Sequence, residues 1–287
     1  MNKNIHRFCL LILQVGLLTA CSPAATPTPT ALPSPTPTPQ ATATPADPHA
    51  GWNLVWQDEF DGTTLNKKNW TYDTGGGGWG NNEMQLYTKR PENSRVENGI
   101  LTIQAIKEVD SYGGSPYISA RLKTQRLQAF QYGRIEARLK VPAGQGVWPA
   151  FWLLGEDVNQ VGWPNCGEID IMEYVGQHPT QFLGTMHGPG YSGGQGLTRS
   201  QTMPYNISDD FHTFAIEWDQ DQISWFYDDV RYSTYTRADV GDRQWVFDHP
   251  FFIILNLAMG GTLGGRVDPD LQFPVQYLVD YVRVYQR

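Results

Sequence analysis

The chain has 287 residues, 40% hydrophobic and 13% aromatic, with 21 basic against 29 acidic side chains and a formal charge of −8. An acidic surface is repelled by polyphosphate and by anionic headgroups, which excludes nucleic acid as an expected partner and points to neutral substrates. Of the three cysteines only Cys166 falls outside the N-terminal segment, so no internal disulfide is available and the fold must stand on its core.

The N-terminus does not begin as a domain. Lys3 and Arg7 precede an apolar run over 8–18 that is too short to span a bilayer and is followed by small residues, the pattern of a secretory signal over 1–20. The stretch Leu18-Thr19-Ala20-Cys21 resembles the lipobox of bacterial lipoproteins. That resemblance implies a lipid on Cys21 and a protein held at the cell surface, touching the membrane through the anchor alone. Residues 21–50 follow as a linker. Nine prolines lie between Ser22 and Ala50 with Thr, Ser and Ala filling the gaps, a composition that buries too little apolar surface to fold and holds the backbone extended. The rest, 51–287, holds all ten tryptophans without a linker-like break or a solenoid-length repeat, and reads as one domain, expected to be monomeric.

Within that domain the hydrophobic period is two almost throughout. In "YGRIEARLKV", Ile135, Ala137, Leu139 and Val141 alternate with Arg134, Glu136, Arg138 and Lys140. In "HTFAIEWD", Phe214, Ile216 and Trp218 alternate with Thr213, Ala215 and Glu217. Further strands are expected over 53–57, 99–105, 117–124, 182–187, 222–227, 251–257 and the closing "QYLVDYVRVYQ", with Gly, Asn, Asp and Pro clusters between them. No long segment carries a capped helical stripe. Many short strands with turns predict an all-β sandwich or jelly roll; a propeller is the runner-up, without a blade-length repeat to support it.

One strand carries the chemistry. "CGEIDIMEYVG" places Glu168, Asp170 and Glu173 among Ile169, Ile171 and Met172. Side chains alternate faces, so Glu168 and Asp170 share one face while Ile169 and Ile171 enter the core. Strict alternation would bury Glu173, which is costly for a lone carboxylate. A β-bulge near Ile171 and Met172 adds one residue and returns Glu173 to the acid face. Three carboxylates on one face can ligate a hard cation, or supply an acid and a nucleophile with a helper between them; a solvated face with incidental acids is the plain alternative. Trp148, Trp152 and Trp163 lie just upstream and would offer flat apolar platforms to sugar rings. The run Gly75 to Gly78 lacks the Gly-Lys-Ser/Thr of a phosphate loop and reads as a flexible rim of the cleft.

These residues resemble family 16 of the glycoside hydrolases. The resemblance runs through "LVWQDEFDG", "NNEMQLYT", "ISARLKT", "YGRIEARLKVPAGQGVWPAFWLLG", "WPNCGEIDIMEYVG", "GTMHG", "FHTFAIEWD", "ILNLAMGG" and "VDYVRVYQ". The E-x-D-x-x-E spacing is similar to the laminarinase-like branch. The family implies a concanavalin A-like jelly roll with a concave cleft and a retaining endo-β-1,3-glucanase, with Glu168 as nucleophile, Glu173 as general acid/base and Asp170 tuning the pair. It also implies a cleft lined by Asn82, Glu83, Arg121, Trp148, Trp152, Trp163, His187 and Asn256, a β-glucan as partner, and no cofactor for catalysis. A structural calcium held by Glu59, Gly99 and Asp280 is a further implication, with a paired carboxylate as the alternative reading of Asp280. Three other functions stay open here: a mixed-linkage or galactan hydrolase of the same family, a non-catalytic glucan-binding protein, and a metal-dependent phosphoesterase.

Overall fold

The computed structural model describes residues 47–108 and 114–287; the signal, Cys21 and the linker up to residue 46 lie outside the described residues. The strands in chain order are β1 (Asn53–Asp58), β2 (Thr71–Asp73), β3 (Gln85–Tyr87), β4 (Ser94–Glu97), β5 (Ile100–Lys107), β6 (Tyr117–Ser119), β7 (Arg121–Lys123), β8 (Gly133–Lys140) and β9 (Val147–Gly155). They continue as β10 (Glu168–Tyr174), β11 (Gln181–His187), β12 (Leu197–Thr202), β13 (His212–Trp218), β14 (Gln222–Tyr227), β15 (Val230–Thr236), β16 (Phe251–Met259) and β17 (Val275–Gln286). The α-helices among the described residues are single turns, α1 (Val158–Val161) and α2 (Gly261–Gly264). None is long and apolar enough to cross a membrane.

Two sheets result. One follows the order β15-β14-β13-β8-β17-β5-β6-β3, with β1 added to β17 and β4 to β5; the other runs β12-β11-β10-β9-β16-β7-β2. The period-two residues explain why they stack. Ile135, Ala137 and Leu139 of β8 and Phe214, Ile216 and Trp218 of β13 join one buried cluster with Phe151 and Leu153 of β9 and Ile169, Ile171 and Met172 of β10. Burial of that apolar layer from both sides is the dominant driving term for the domain. The fold is an all-β jelly roll, and the propeller falls away. The strand β16 is buried at all nine positions: one face meets the opposing sheet, and on the other Phe252 and Ile254 pack with Leu154 and Cys166, Ala258 packs with Trp148 and Val175, and Asn256 lines a cleft.

Two features depart from the sequence reading. Arg134 and Glu136, which alternate with the apolar residues of β8, are nonetheless 1% and 0% exposed. They pair with each other at 2.8 Å, and Arg134 also reaches Asp229 at 2.6 Å, so each buried charge has a partner. His49 helps to cover them: its ring stacks on Tyr285 with centroids 4.5 Å apart, and its Nε2 lies 3.1 Å from Glu136 Oε2. The folded domain therefore begins before residue 51, and the end of the expected linker is part of it.

Candidate active site

The bulge is present where the acid spacing requires it. Against β9, Asp170 pairs with Trp152 and Met172 with Phe151, two steps on one strand for one on the other. Against β11, Asp170 pairs with Thr185 and Glu173 with Leu183, again one residue in excess. Met172 consequently joins Ile169 and Ile171 in the core, and Glu173 comes back to the face of Glu168 and Asp170.

Antiparallel partners share a face, so the cleft floor can be read across the sheet. One row runs Leu183, Glu173, Ala150, Asn256, Arg121 and Asp73; the next holds Thr198, Thr185, Asp170 and Trp152. Above this floor is a cleft of about 660 Å³, lined by all three acids. Glu168 keeps 18% of its side chain exposed and Asp170 only 5%, so a ligand reaches the first while the second acts through its neighbours.

The electrostatics follow from burial. Desolvation raises the pKa of Glu168, Asp170 and Glu173, each to about 8. Repulsion by Asp170 adds to the rise at both glutamates, while His187 opposes it. Three close carboxyls cannot all ionise cheaply, and the cluster retains protons at neutral pH. Specific partners then differentiate them. Trp148 Nε1 donates to Glu173 Oε1 at 3.1 Å; His187 Nε2 lies 3.1 Å from Asp170 Oδ2 and 3.7 Å from Glu168 Oε1. A cluster that holds protons at neutral pH can supply the acid that an acid-assisted nucleophilic displacement needs.

Of the residues expected along the cleft, Glu83, Arg121, Trp148, Trp152, Trp163, His187 and Asn256 line it. Asn82 has φ 56° and stands one residue back from the cleft, its amide donating to Oγ1 of the lining residue Thr262 at 3.3 Å, while its neighbour Asn81 lines the cleft directly. Trp79 was missed. It stands at the end of the glycine run, and together with Trp152 it sandwiches the Arg121 guanidinium, 4.8 and 4.7 Å from the two rings. Asp73 fixes the same guanidinium at 3.1 Å. Thr185 was also missed, although its position two residues before His187 on β11 places both on one face. Along the floor runs a chain of bonds: Trp152 Nε1 donates to Asn256 Oδ1 (2.7 Å), Asn256 Nδ2 to Tyr87 Oη (3.1 Å), and Tyr87 Oη to Glu83 Oε2 (3.2 Å).

Two of the expected calcium residues, Glu59 and Asp280, meet guanidinium groups. Both oxygens of Glu59 accept from Arg283 at 2.8 Å, Asp280 Oδ2 accepts from Arg138 at 2.7 Å, and Gly99 supplies the turn between β4 and β5. The two carboxylates that the resemblance names for calcium are thus each ion-paired with an arginine. Among the described residues the grouping that could hold a metal is Glu168, Asp170 and His187, whose donor atoms lie within 4.8 Å of one another. A cation there would occupy the carboxylates that the cleft presents to its ligand.

Residues 66–283 match the family model for glycosyl hydrolases family 16. The chain belongs to that family. It is 45% identical over 251 residues to a β-glucanase of Rhodothermus marinus, covering 83% of this chain and 86% of that one. It is 41% identical to a glucan endo-1,3-β-glucosidase of Cryptopygus antarcticus, covering 76% and 84%. Among solved structures, an endo-β-1,3-glucanase from Pyrococcus furiosus superposes with a TM-score of 0.79 at 46% identity, covering 82% of this chain and 94% of that one. The protein is a glycoside hydrolase.

Proposed function

We propose that this family 16 enzyme is a retaining endo-β-1,3-glucanase acting through Glu168 and Glu173. One observation carries the reading: the bulge after Asp170 delivers both glutamates to the same aromatic-lined cleft. In the first step a Glu168 oxygen bonds to the anomeric carbon as the glycosidic C–O bond breaks, and the Glu173 proton passes to the leaving oxygen. In the second, water donates its proton to Glu173 and bonds to the anomeric carbon, and Glu168 leaves as carboxylate. Asp170 and His187 set the charge of the cluster, and Trp148 holds the acid/base in place. Trp152, Trp163 and Arg121 contact the sugars, and no step requires a metal.

Product analysis on laminarin, mixed-linkage β-glucan and agarose side by side tests the substrate. Oligosaccharides from laminarin with retained anomeric configuration are expected. Cleavage of mixed-linkage glucan alone would replace the β-1,3 assignment, and binding without cleavage would make this a glucan-binding protein. Glu168→Ala tests the nucleophile: turnover should fall by on the order of 10⁴–10⁶-fold. Azide with an activated substrate should then restore turnover as an inverted glycosyl azide.

We also propose a lipid anchor at Cys21, supported by the signal over 1–20 and the lipobox-like Leu18-Thr19-Ala20-Cys21. Cys21→Ala should move the enzyme from the membrane fraction to the soluble one; equal distribution of both forms would remove the anchor.

A further inference from the structure

The bulge that aims Glu173 is held from the opposite side of the sandwich. Trp225 belongs to β14 of the other sheet and is 0% exposed. Its Nε1 crosses the core and donates to the backbone carbonyl of Asp170 at 2.8 Å. Asp170 is the last residue in register with both neighbours before the ladder slips on either flank. An indole N–H can only donate, and a buried one needs a fixed acceptor, so this bond ties the ring to one place on β10.

A second observation shows that the neighbouring strand makes room for the ring. The β10–β11 ladder passes from Asp170↔Thr185 to Glu173↔Leu183, which leaves Gly184 opposite the extra residue. A Cβ on Gly184 would lie 2.5 Å from Trp225 Cδ1, 2.8 Å from its Nε1 and 2.5 Å from Tyr232 Oη. Those separations are below van der Waals contact, so a side chain at 184 would displace the indole. Tyr235 packs edge-on against the ring at 5.9 Å, and its own hydroxyl donates to the Thr198 carbonyl at 3.0 Å.

We propose that Trp225 and Gly184 are positioning residues for the catalytic pair: the indole, admitted where Gly184 has no side chain, pins the Asp170 carbonyl and with it the bulge that sets Glu173 against Glu168. Neither residue lines the cleft, so substrate binding is left to the floor and its aromatics. The inference rests on the assignment of Glu168 and Glu173 as nucleophile and acid/base.

The test compares Trp225→Phe with Trp218→Phe. Trp218 is an internal match: it lies on the adjacent strand, is 2% exposed, and donates its Nε1 to the Phe247 carbonyl at 3.0 Å, away from the bulge. Both variants lose one buried indole–carbonyl bond and should lose thermal stability alike. Only Trp225→Phe should lower kcat, by about 10–100-fold, since small displacements of reacting groups are that costly. KM should stay within about threefold and the kcat–pH profile should shift, as loosening the bulge alters the coupling between the two glutamates. Gly184→Ala should reproduce the effect, and combining it with Trp225→Phe should cost less than the two losses added. If Trp225→Phe fails to fold, replacing Trp225 with β-(3-benzothienyl)alanine removes the donor at nearly constant shape. Equal kcat and unchanged pH profiles in the Trp225 and Trp218 variants would overturn the inference. Substantial turnover by Glu168→Ala and Glu173→Gln would instead overturn the assignment beneath it.

Discussion

Trp148→Phe isolates the one hydrogen bond that distinguishes Glu173 from its acidic neighbours. The indole donates to Glu173 Oε1 at 3.1 Å and favours the ionised form, while desolvation and the charge of Asp170 push the carboxyl up. A hydrogen bond to a charged group contributes about 1.5–3 kcal/mol. At about 1.4 kcal/mol per pKa unit, losing it raises the Glu173 pKa by one to two units if nothing replaces it, and by about one unit if water does. Glu173 must be protonated in the first step, so its pKa governs the alkaline limb of kcat/KM. The sign is therefore fixed: the limb moves to higher pH. Reducing-end release from laminarin between pH 5 and 10 measures it. Trp152→Phe is the control, because its N–H serves Asn256 rather than a carboxylate. An alkaline limb unmoved by Trp148→Phe, or moved equally by Trp152→Phe, would refute the reasoning.

Three further outcomes are expected. Glu173→Gln should be more stable than the parent at neutral pH. A carboxyl whose pKa rises from 4.5 to about 8 on folding makes stability fall as pH climbs through that window, so the melting-temperature difference should grow between pH 4.5 and 8 and vanish below it. Asn256→Ala strands the Trp152 Nε1 donor and takes from the Tyr87 hydroxyl the N–H it accepts; it should cost about 1–3 kcal/mol in stability, read by denaturant titration, and raise KM. A chelator should leave the laminarin rate unchanged, whereas added Zn²⁺ should inhibit by occupying Glu168, Asp170 and His187; activation by Zn²⁺ would contradict the two-glutamate mechanism.

Much of this enzyme was legible in the residue order because a β-sandwich writes itself with period two. Ile135, Ala137 and Leu139 identify a core face without any partner being known, since the side chains of one strand must alternate. The irregular spacing of Glu168, Asp170 and Glu173 demanded a bulge for a local reason too, the cost of a buried lone carboxylate. Local rules failed where distant segments meet. Arg134 and Glu136 look like a solvent face until His49 and Tyr285 cover them. The ion pairs of Glu59 with Arg283 and of Asp280 with Arg138 likewise join segments far apart in the chain.

The sequence by itself determined the sandwich, the acid face and the need for an extra residue, because each follows from neighbours along one strand. Only the tertiary structure decided what surrounds that face: Trp79 beside Arg121 and Trp152, the pair of Trp148 with Glu173, and the reach of Trp225 across the core to Asp170. These contacts join strands brought together by folding, and the period of a single strand holds no record of its neighbours.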